Sequence, residues 1–111
     1  MLTDEQWIDV CSEEDLQHDS GICALIDKQQ VAIFYMPKEN AIYAINNYDP
    51  FGKANVLSRG LIGDINDVPM VASPLHKQHF NLRTGECLED ENVSVEAYNI
   101  RIEKGRVEVS I

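Results

Sequence analysis

Hydrophobic and polar positions alternate in short runs along most of the chain, the period-two pattern of strands with one buried face. The end is clearest. Tyr98, Ile100 and Ile102 alternate with Asn99, Arg101 and Glu103, while Val107, Val109 and Ile111 alternate with Glu108 and Ser110. Lys104-Gly105 between them predicts a C-terminal hairpin with one apolar face. Residues 21–26 and 30–36 predict a second hairpin that turns at Asp27-Lys28-Gln29. Its second half, Val31-Ala32-Ile33-Phe34-Tyr35-Met36, is apolar at every position, as expected of a central strand covered on both faces. Further strands are predicted around 7–10, 41–46, 70–72 and 79–82. Ser12, with Asp15 three residues later, is a weak capping box that starts a single helical turn. Pro37-Lys38-Glu39-Asn40 and Arg83-Thr84-Gly85-Glu86 read as turns, with Gly85 free to take positive φ. Residues 47–69 break the rhythm. They hold Pro50, Gly52, Gly60, Gly63 and Pro69 with little alternation. An irregular stretch of that length inside a compact domain is usually functional. The expected fold class is all-β.

Length and composition narrow the picture. At 111 residues the chain is expected to form one domain, 1–111, and 44% hydrophobic residues supply one modest core without metal or disulfide. No apolar run approaches the ~20 residues that span a bilayer. The acidic start, Met1-Leu2-Thr3-Asp4-Glu5, lacks the basic and apolar regions of a signal peptide, so a cytoplasmic protein is expected. Cys11, Cys23 and Cys87 are odd in number and form no C-x-x-C pair, which argues against a disulfide framework and a thiolate metal site. Cys23, inside an apolar run, is expected to be a small buried hydrophobe. The formal net charge of −10 makes nucleic acid and anionic membranes poor partners. It serves either solubility or a basic partner surface.

The candidate chemistry lies in two segments. One is Asn47-Tyr48-Asp49-Pro50-Phe51. The other is Ser73-Pro74-Leu75-His76, followed by Phe80-Asn81-Leu82 and Thr84-Gly85-Glu86. Asp49, His76 and His79 together offer one oxygen and two nitrogen donors, in principle enough for iron or zinc. The plainer reading is that the histidines serve loop packing or a partner contact. His18 sits in a polar stretch and is read as solvated. Glu86, Glu89, Asp90 and Glu91 read as a solvated loop after a turn. Ser58 and Ser73 lack a G-x-S-x-G setting, and neither a P-loop nor a dinucleotide fingerprint is present.

The spacing of the two segments resembles the Rieske pattern, Cys-x-His upstream of Cys-Pro-x-His, then Phe-x-Leu-x-Thr-Gly. In that pattern two thiolates hold one iron of a [2Fe–2S] cluster and two imidazoles hold the other. Here Asp49 and Ser73 fill the cysteine slots, Phe51 fills one histidine slot, and His76 alone is kept. The resemblance implies a Rieske-like sandwich of small antiparallel sheets with an irregular tip at about 47–82. The missing thiolates imply that no cluster is bound and that side chains close the space.

A narrower resemblance rests on Cys23-Ala24-Leu25, Gln30-Val31-Ala32-Ile33-Phe34, Asp49-Pro50-Phe51, Val56-Leu57-Ser58-Arg59-Gly60-Leu61-Ile62 and Val71-Ala72-Ser73-Pro74-Leu75. These stretches are similar to the small subunit of the bacterial assimilatory NAD(P)H-dependent nitrite reductase. That family implies a non-catalytic subunit with no cofactor of its own. Its large partner subunit carries FAD, a [4Fe–4S] cluster and siroheme, and reduces nitrite to ammonia. The tip loops, 49–60 and 73–79, are then the expected interface, with Phe51, Lys53, Arg59, His76, Lys77 and His79 as the contact residues. The competing functions are a Rieske-type electron carrier, a mononuclear metal site at Asp49, His76 and His79, and a free-standing adaptor.

Overall fold

The computed structural model describes residues 6–75 and 77–110. The N-terminal pentapeptide, His76 and Ile111 therefore lie outside the described residues. Eleven strands are present among those described, with short 3₁₀ turns and no α-helix. The strands are β1 (Trp7–Ser12), β2 (Ser20–Ile26), β3 (Gln29–Met36), β4 (Ala41–Asn46), β5 (Tyr48–Asp49), β6 (Ala54–Asn55), β7 (Leu61–Ile65), β8 (Val68–Ala72), β9 (His79–Asn81), β10 (Ala97–Glu103) and β11 (Arg106–Ser110).

Six of them form a base sheet in the order β1-β11-β10-β4-β3-β2, all antiparallel. Its two outermost strands lend side chains to the same core, so the sheet curls on itself. That core holds Val31, Ile33, Ala44, Tyr98, Val107 and Val109, with Ile8 and Val10 from β1 and Ile22 and Ala24 from β2 against it. The opposite face of β3 sends Ala32, Phe34 and Met36 into a second core with Ile45, Leu57, Val71, Phe80, Leu82 and Cys87. β3 is thus the wall shared by two cores, which is why its apolar run shows no alternation.

β4 and β10 are neighbours in the sheet yet lie fifty residues apart in sequence, with Ala44 opposite Tyr98 and Ile45 opposite Ala97. The chain between them forms the tip. It contains the two-stranded β5-β6 hairpin, a 3₁₀ turn at Leu57–Arg59, and the three-stranded sheet β7-β8-β9. Residues 47–69 are therefore more regular than their sequence suggests. β7 pairs along its whole length with β8, from Leu61 opposite Ala72 to Ile65 opposite Val68. Its alternation is masked because both of its faces carry apolar side chains.

Local chemistry explains the remaining elements. Ser12 Oγ accepts from Glu14 N, and Asp15 reaches back to the Ser12 N–H, which closes the capping box on a 3₁₀ turn at Glu13–Asp15. Gly85 has φ +83°, in a position where a Cβ would lie 1.9 Å from the Val95 carbonyl oxygen. Cys23 is exposed, contrary to expectation. β2 is an edge strand, and its run Cys23-Ala24-Leu25 turns Cys23 and Leu25 outward, Leu25 with 74% exposure. Three hairpins turn through two left-handed residues: Asp27 and Lys28 (φ 49° and 69°), Asn66 and Asp67 (51° and 66°), and Lys104 and Gly105 (50° and 79°). This two-residue geometry matches strand twist and favours glycine at the second position. Only the last turn has that glycine. Lys28→Gly and Asp67→Gly are each expected to stabilise the fold by about 0.5–1 kcal/mol, raising Tm by roughly 2–4 °C in a thermal melt. A fall in Tm for both would show that the lysine and aspartate make contacts that outweigh backbone strain.

Candidate functional site

The tip is rooted on the base sheet by one buried amide, Asn47, which is 2% exposed. Its side-chain nitrogen donates to Gln30 Oε1 (3.1 Å) and lies 3.5 Å from Cys23 Sγ. Its side-chain oxygen accepts from Ser58 N at 2.6 Å. Its backbone donates to Gln30 O (2.9 Å) and accepts from Leu57 N (3.0 Å). A single residue therefore satisfies polar groups from β2, β3 and the Leu57–Arg59 turn. Buried polar groups need such partners.

Beyond this root lie two loops of one design, Asp49-Pro50-Phe51-Gly52-Lys53 and Ser73-Pro74-Leu75-His76-Lys77. In each, the first residue's side-chain oxygen accepts from the backbone N–H two positions on: Asp49 Oδ1 from Phe51 N at 2.9 Å, Ser73 Oγ from Leu75 N at 3.3 Å. In each, the fifth residue's N–H donates to the first residue's carbonyl: Lys53 to Asp49 at 2.7 Å, Lys77 to Ser73 at 3.0 Å. Both lysines take the left-handed conformation, φ 56° and 63°. The loops are clasped by a short hydrogen bond that Ser73 Oγ donates to Asp49 Oδ2. Asp49 is fully buried and Ser73 nearly so. Phe51 packs beside the core ring of Phe80, with ring centres 6.2 Å apart.

The residues in the four Rieske ligand slots do not fit a [2Fe–2S] cluster. Such a cluster needs thiolates on one iron. Asp49 and Ser73 instead offer hard oxygens, and each is already engaged by the other. Phe51 has no lone pair, and His76 lies outside the described residues. The three cysteines are elsewhere, on β1, on β2 and at Cys87. Burial raises the pKa of all three thiols, more strongly than the nearby charges and hydrogen bonds shift it.

His79 does not join Asp49. Its ring Nδ1 lies 2.5 Å from Glu89 Oε2, and its backbone N–H donates to Glu89 Oε1 at 2.7 Å. Among the described residues no three His, Cys, Asp or Glu side chains gather as a metal site. Glu89 was not legible as a partner, because ten residues separate it from His79 and no local motif links them. Glu86, Glu89 and Glu91 are exposed as expected, while Asp90 of the same loop is half-buried; His18 is exposed too and packs edge-on to Tyr35. Partial burial works to raise the Glu89 pKa, but the bonds from His79 outweigh it and hold the carboxyl below its ordinary value.

Arg59 and Lys77 line one small cavity with Leu61, Ala72, Ser73 and Pro74. Gly60 makes this possible, since a Cβ there would lie 2.2 Å from the Ala72 carbonyl oxygen. The tip differs from the rest of the molecule in charge. Residues 47–82 hold three Lys or Arg (Lys53, Arg59, Lys77) and three acids (Asp49, Asp64, Asp67), a net of zero. The remaining residues hold six Lys or Arg and 16 acids, a net −10. On the base sheet Arg101 pairs with Glu108 and Arg106 with Asp9, both at 2.7 Å. Lys53, Arg59 and Lys77 are exposed and make no ion pair among the described residues.

The curled base sheet and clasped twin loops define a Rieske-type scaffold. A family model described as a Rieske-like [2Fe-2S] domain matches residues 6–110. The nitrite reductase (NADH) small subunit of Escherichia coli (strain K12) is 45% identical over 104 residues, covering 94% of this chain and 96% of that one. The NMR structure of the E. coli protein NirD matches with a TM-score of 0.88 at 44% identity, covering 97% and 98% of the two chains. The nitrite reductase [NAD(P)H] large subunit of Klebsiella oxytoca is 36% identical over 106 residues, 96% of this chain but 11% of that longer protein. The chain belongs to the Rieske-like [2Fe-2S] domain family, in the group of nitrite reductase small subunits.

Two outcomes test the site. Ser73→Ala leaves Asp49 buried with one donor fewer, which is expected to cost about 1–3 kcal/mol, or roughly 5–10 °C in Tm. In a double-mutant cycle with Asp49→Ala, the second substitution should cost clearly less once the first is made. Additive losses would mean that the clasp holds nothing. The Glu89–His79 pair has the opposite exposure. Its carboxyl pKa is depressed in the folded chain, so its stabilisation is present above the unfolded value of about 4.3 and is lost as pH falls through the folded value. Because Glu89 is 47% exposed, Glu89→Gln should lower Tm by no more than roughly 4 °C at pH 7. That difference should disappear once pH has fallen below the depressed pKa of the folded carboxyl. A difference that persists there would assign it to packing instead of charge.

Proposed function

We propose that this chain is the non-catalytic small subunit of a cytoplasmic NAD(P)H-dependent nitrite reductase, and that it acts by docking its tip on the large subunit. The observation that carries this reading is the Asp49–Ser73 clasp. The two loops that correspond to the cluster-bearing segments of the Rieske pattern are joined here by a hydrogen bond between the residues in the two cysteine slots. A scaffold that keeps its presenting loops without redox ligands is suited to recognition. In this reading the chain carries no cofactor. FAD, the [4Fe–4S] cluster and siroheme sit on the partner, where nitrite is reduced to ammonia. No helix among the described residues is long and apolar enough to cross a membrane.

The charge pattern supports the same surface. Lys53 and Lys77 stand at equivalent places on the twin loops, and Arg59 shares a cavity with Lys77. Phe51, His76 and His79 complete the proposed contact set. Exposed cations on a chain otherwise strongly negative would orient the approach to an acidic partner surface. The Klebsiella oxytoca relative supports the identity of that partner, because its matching segment is part of a large-subunit polypeptide. The ferredoxin-like alternative lacks the donors it would need.

Arg59→Glu and Lys77→Glu are each expected to slow association with the purified large subunit by about tenfold at low salt, and less as salt rises. Tm should stay within a degree or two of the parent, since both side chains are exposed. Unchanged association rates for both variants would sink the tip as the docking surface. A parent chain that does not bind the large subunit, with its flavin and siroheme absorption, would sink the subunit reading itself.

A further inference from the structure

The three-stranded tip sheet has two unlike faces. Ile62, Val71 and Phe80 stand opposite one another on β7, β8 and β9 and point into the core. By alternation, the other face carries Leu61, Ala72 and His79 in one row, then Gly63, Met70 and Asn81, then Ile65 and Val68. None of these eight is Asp, Glu, Lys or Arg. Leu61 is 81% exposed and Ile65 41%. An outer sheet face with one side in water is ordinarily polar, and contiguous exposed apolar surface on a small chain marks an interaction site. β7 is also a sheet edge, with one row of backbone groups unpaired.

We infer that this outer face of β7-β8-β9, centred on Leu61, is the apolar heart of the contact with the large subunit. It packs there against an apolar patch rimmed by carboxylates. The inference rests on the docking reading above and gives it a surface that the loop residues alone do not supply. Two observations choose the occupant. The apolar face runs directly into the cavity where Leu61 and Ala72 meet Arg59 and Lys77, so its rim is basic on the Leu61 side, with the Glu89 carboxylate paired to His79 on the β9 side. A second copy using the same patch about a two-fold axis would bring two basic rims together, and like charges across an interface repel. A partner with an acidic rim has no such conflict. In the Klebsiella oxytoca relative the corresponding segment is part of a large-subunit polypeptide, which would hold such a face beside its partner at high effective concentration.

The test uses the full chain and the purified large subunit with its cofactors, with Kd measured by titration. Leu61→Asp should weaken binding by at least about 30-fold, with Tm and circular dichroism unchanged. Gly63→Glu provides a second charge in the patch, because a Cβ there meets only the Met70 methyl at 3.7 Å. Leu25→Asp, at an equally exposed leucine on the base sheet, is the control and should change Kd by less than about threefold. Binding of both tip variants within about threefold of the parent, while the parent binds, would overturn this inference and leave the subunit reading standing. Loss of parent self-association in Leu61→Asp, with large-subunit affinity unchanged, would assign the face to a second copy and overturn it as well. A parent chain that fails to bind the large subunit overturns both readings.

Discussion

A buried carboxylate holding a buried hydroxyl is the constraint on which the tip depends. Asp49 and Ser73 come from loops 24 residues apart, and the clasp fixes the distance between those loops. Everything presented at the tip follows from it. Phe51 is held by the Asp49 turn and packs toward Phe80, while Lys53 and Lys77 are placed by backbone bonds to the same two residues. A polar pair in a dry site is stabilising only when its bonding is complete. Asp49 meets that requirement with one bond from the loop backbone and one from Ser73. A metal cluster could impose the same loop separation by covalent ligation. A hydrogen bond does so with side chains alone, and leaves the loop surface free for recognition.

The second structural level is the junction at Asn47. The tip enters between β4 and β10, which are adjacent in the base sheet, so both ends of the insertion are fixed by one strand pair. Asn47 then ties the entry to β3 and to the Leu57–Arg59 turn. Because β3 is buried on both faces, a shift of the tip relative to the base would disturb two cores at once. Close-packed interiors transmit such a shift and do not absorb it. The tip is therefore expected to meet a partner as a rigid platform.

Where local pattern and tertiary demand agree, the fold is legible in the chain. The Tyr98–Ile102 and Val107–Val109 alternation, the apolar run of β3 and the Ser12 capping box all appear in the structure where the sequence puts them. The disagreements share a cause. Cys23 and Leu25 lie in an apolar run but face outward from an edge strand. β7 is hidden because Leu61 and Ile65 add apolar residues to its solvent side. Asn47 and Glu89 gain their roles from residues ten or more positions away that no local motif links to them. Cys23, Leu25 and β7 break the rule that exposed strand positions are polar, and such departures concentrate at functional or strained sites.

That concentration bears on how the chain works. Edge β2 exposes Leu25 beside Gln30, at the root of the tip and outside the β7-β8-β9 sheet. β7 differs, because its apolar side chains adjoin Arg59 and Lys77, two exposed cations without an ion pair among the described residues. Apolar area supplies affinity once water is excluded, while a charged rim supplies orientation and rejects wrong partners. Neither is sufficient alone: a basic rim without an apolar centre gives fast but weak encounters, and an apolar face without a rim invites self-association. The tip combines the two on a platform held by the Asp49–Ser73 clasp. The Asp49–Ser73 hydrogen bond thus holds together the two loops whose positions in the Rieske pattern bear the cluster ligands.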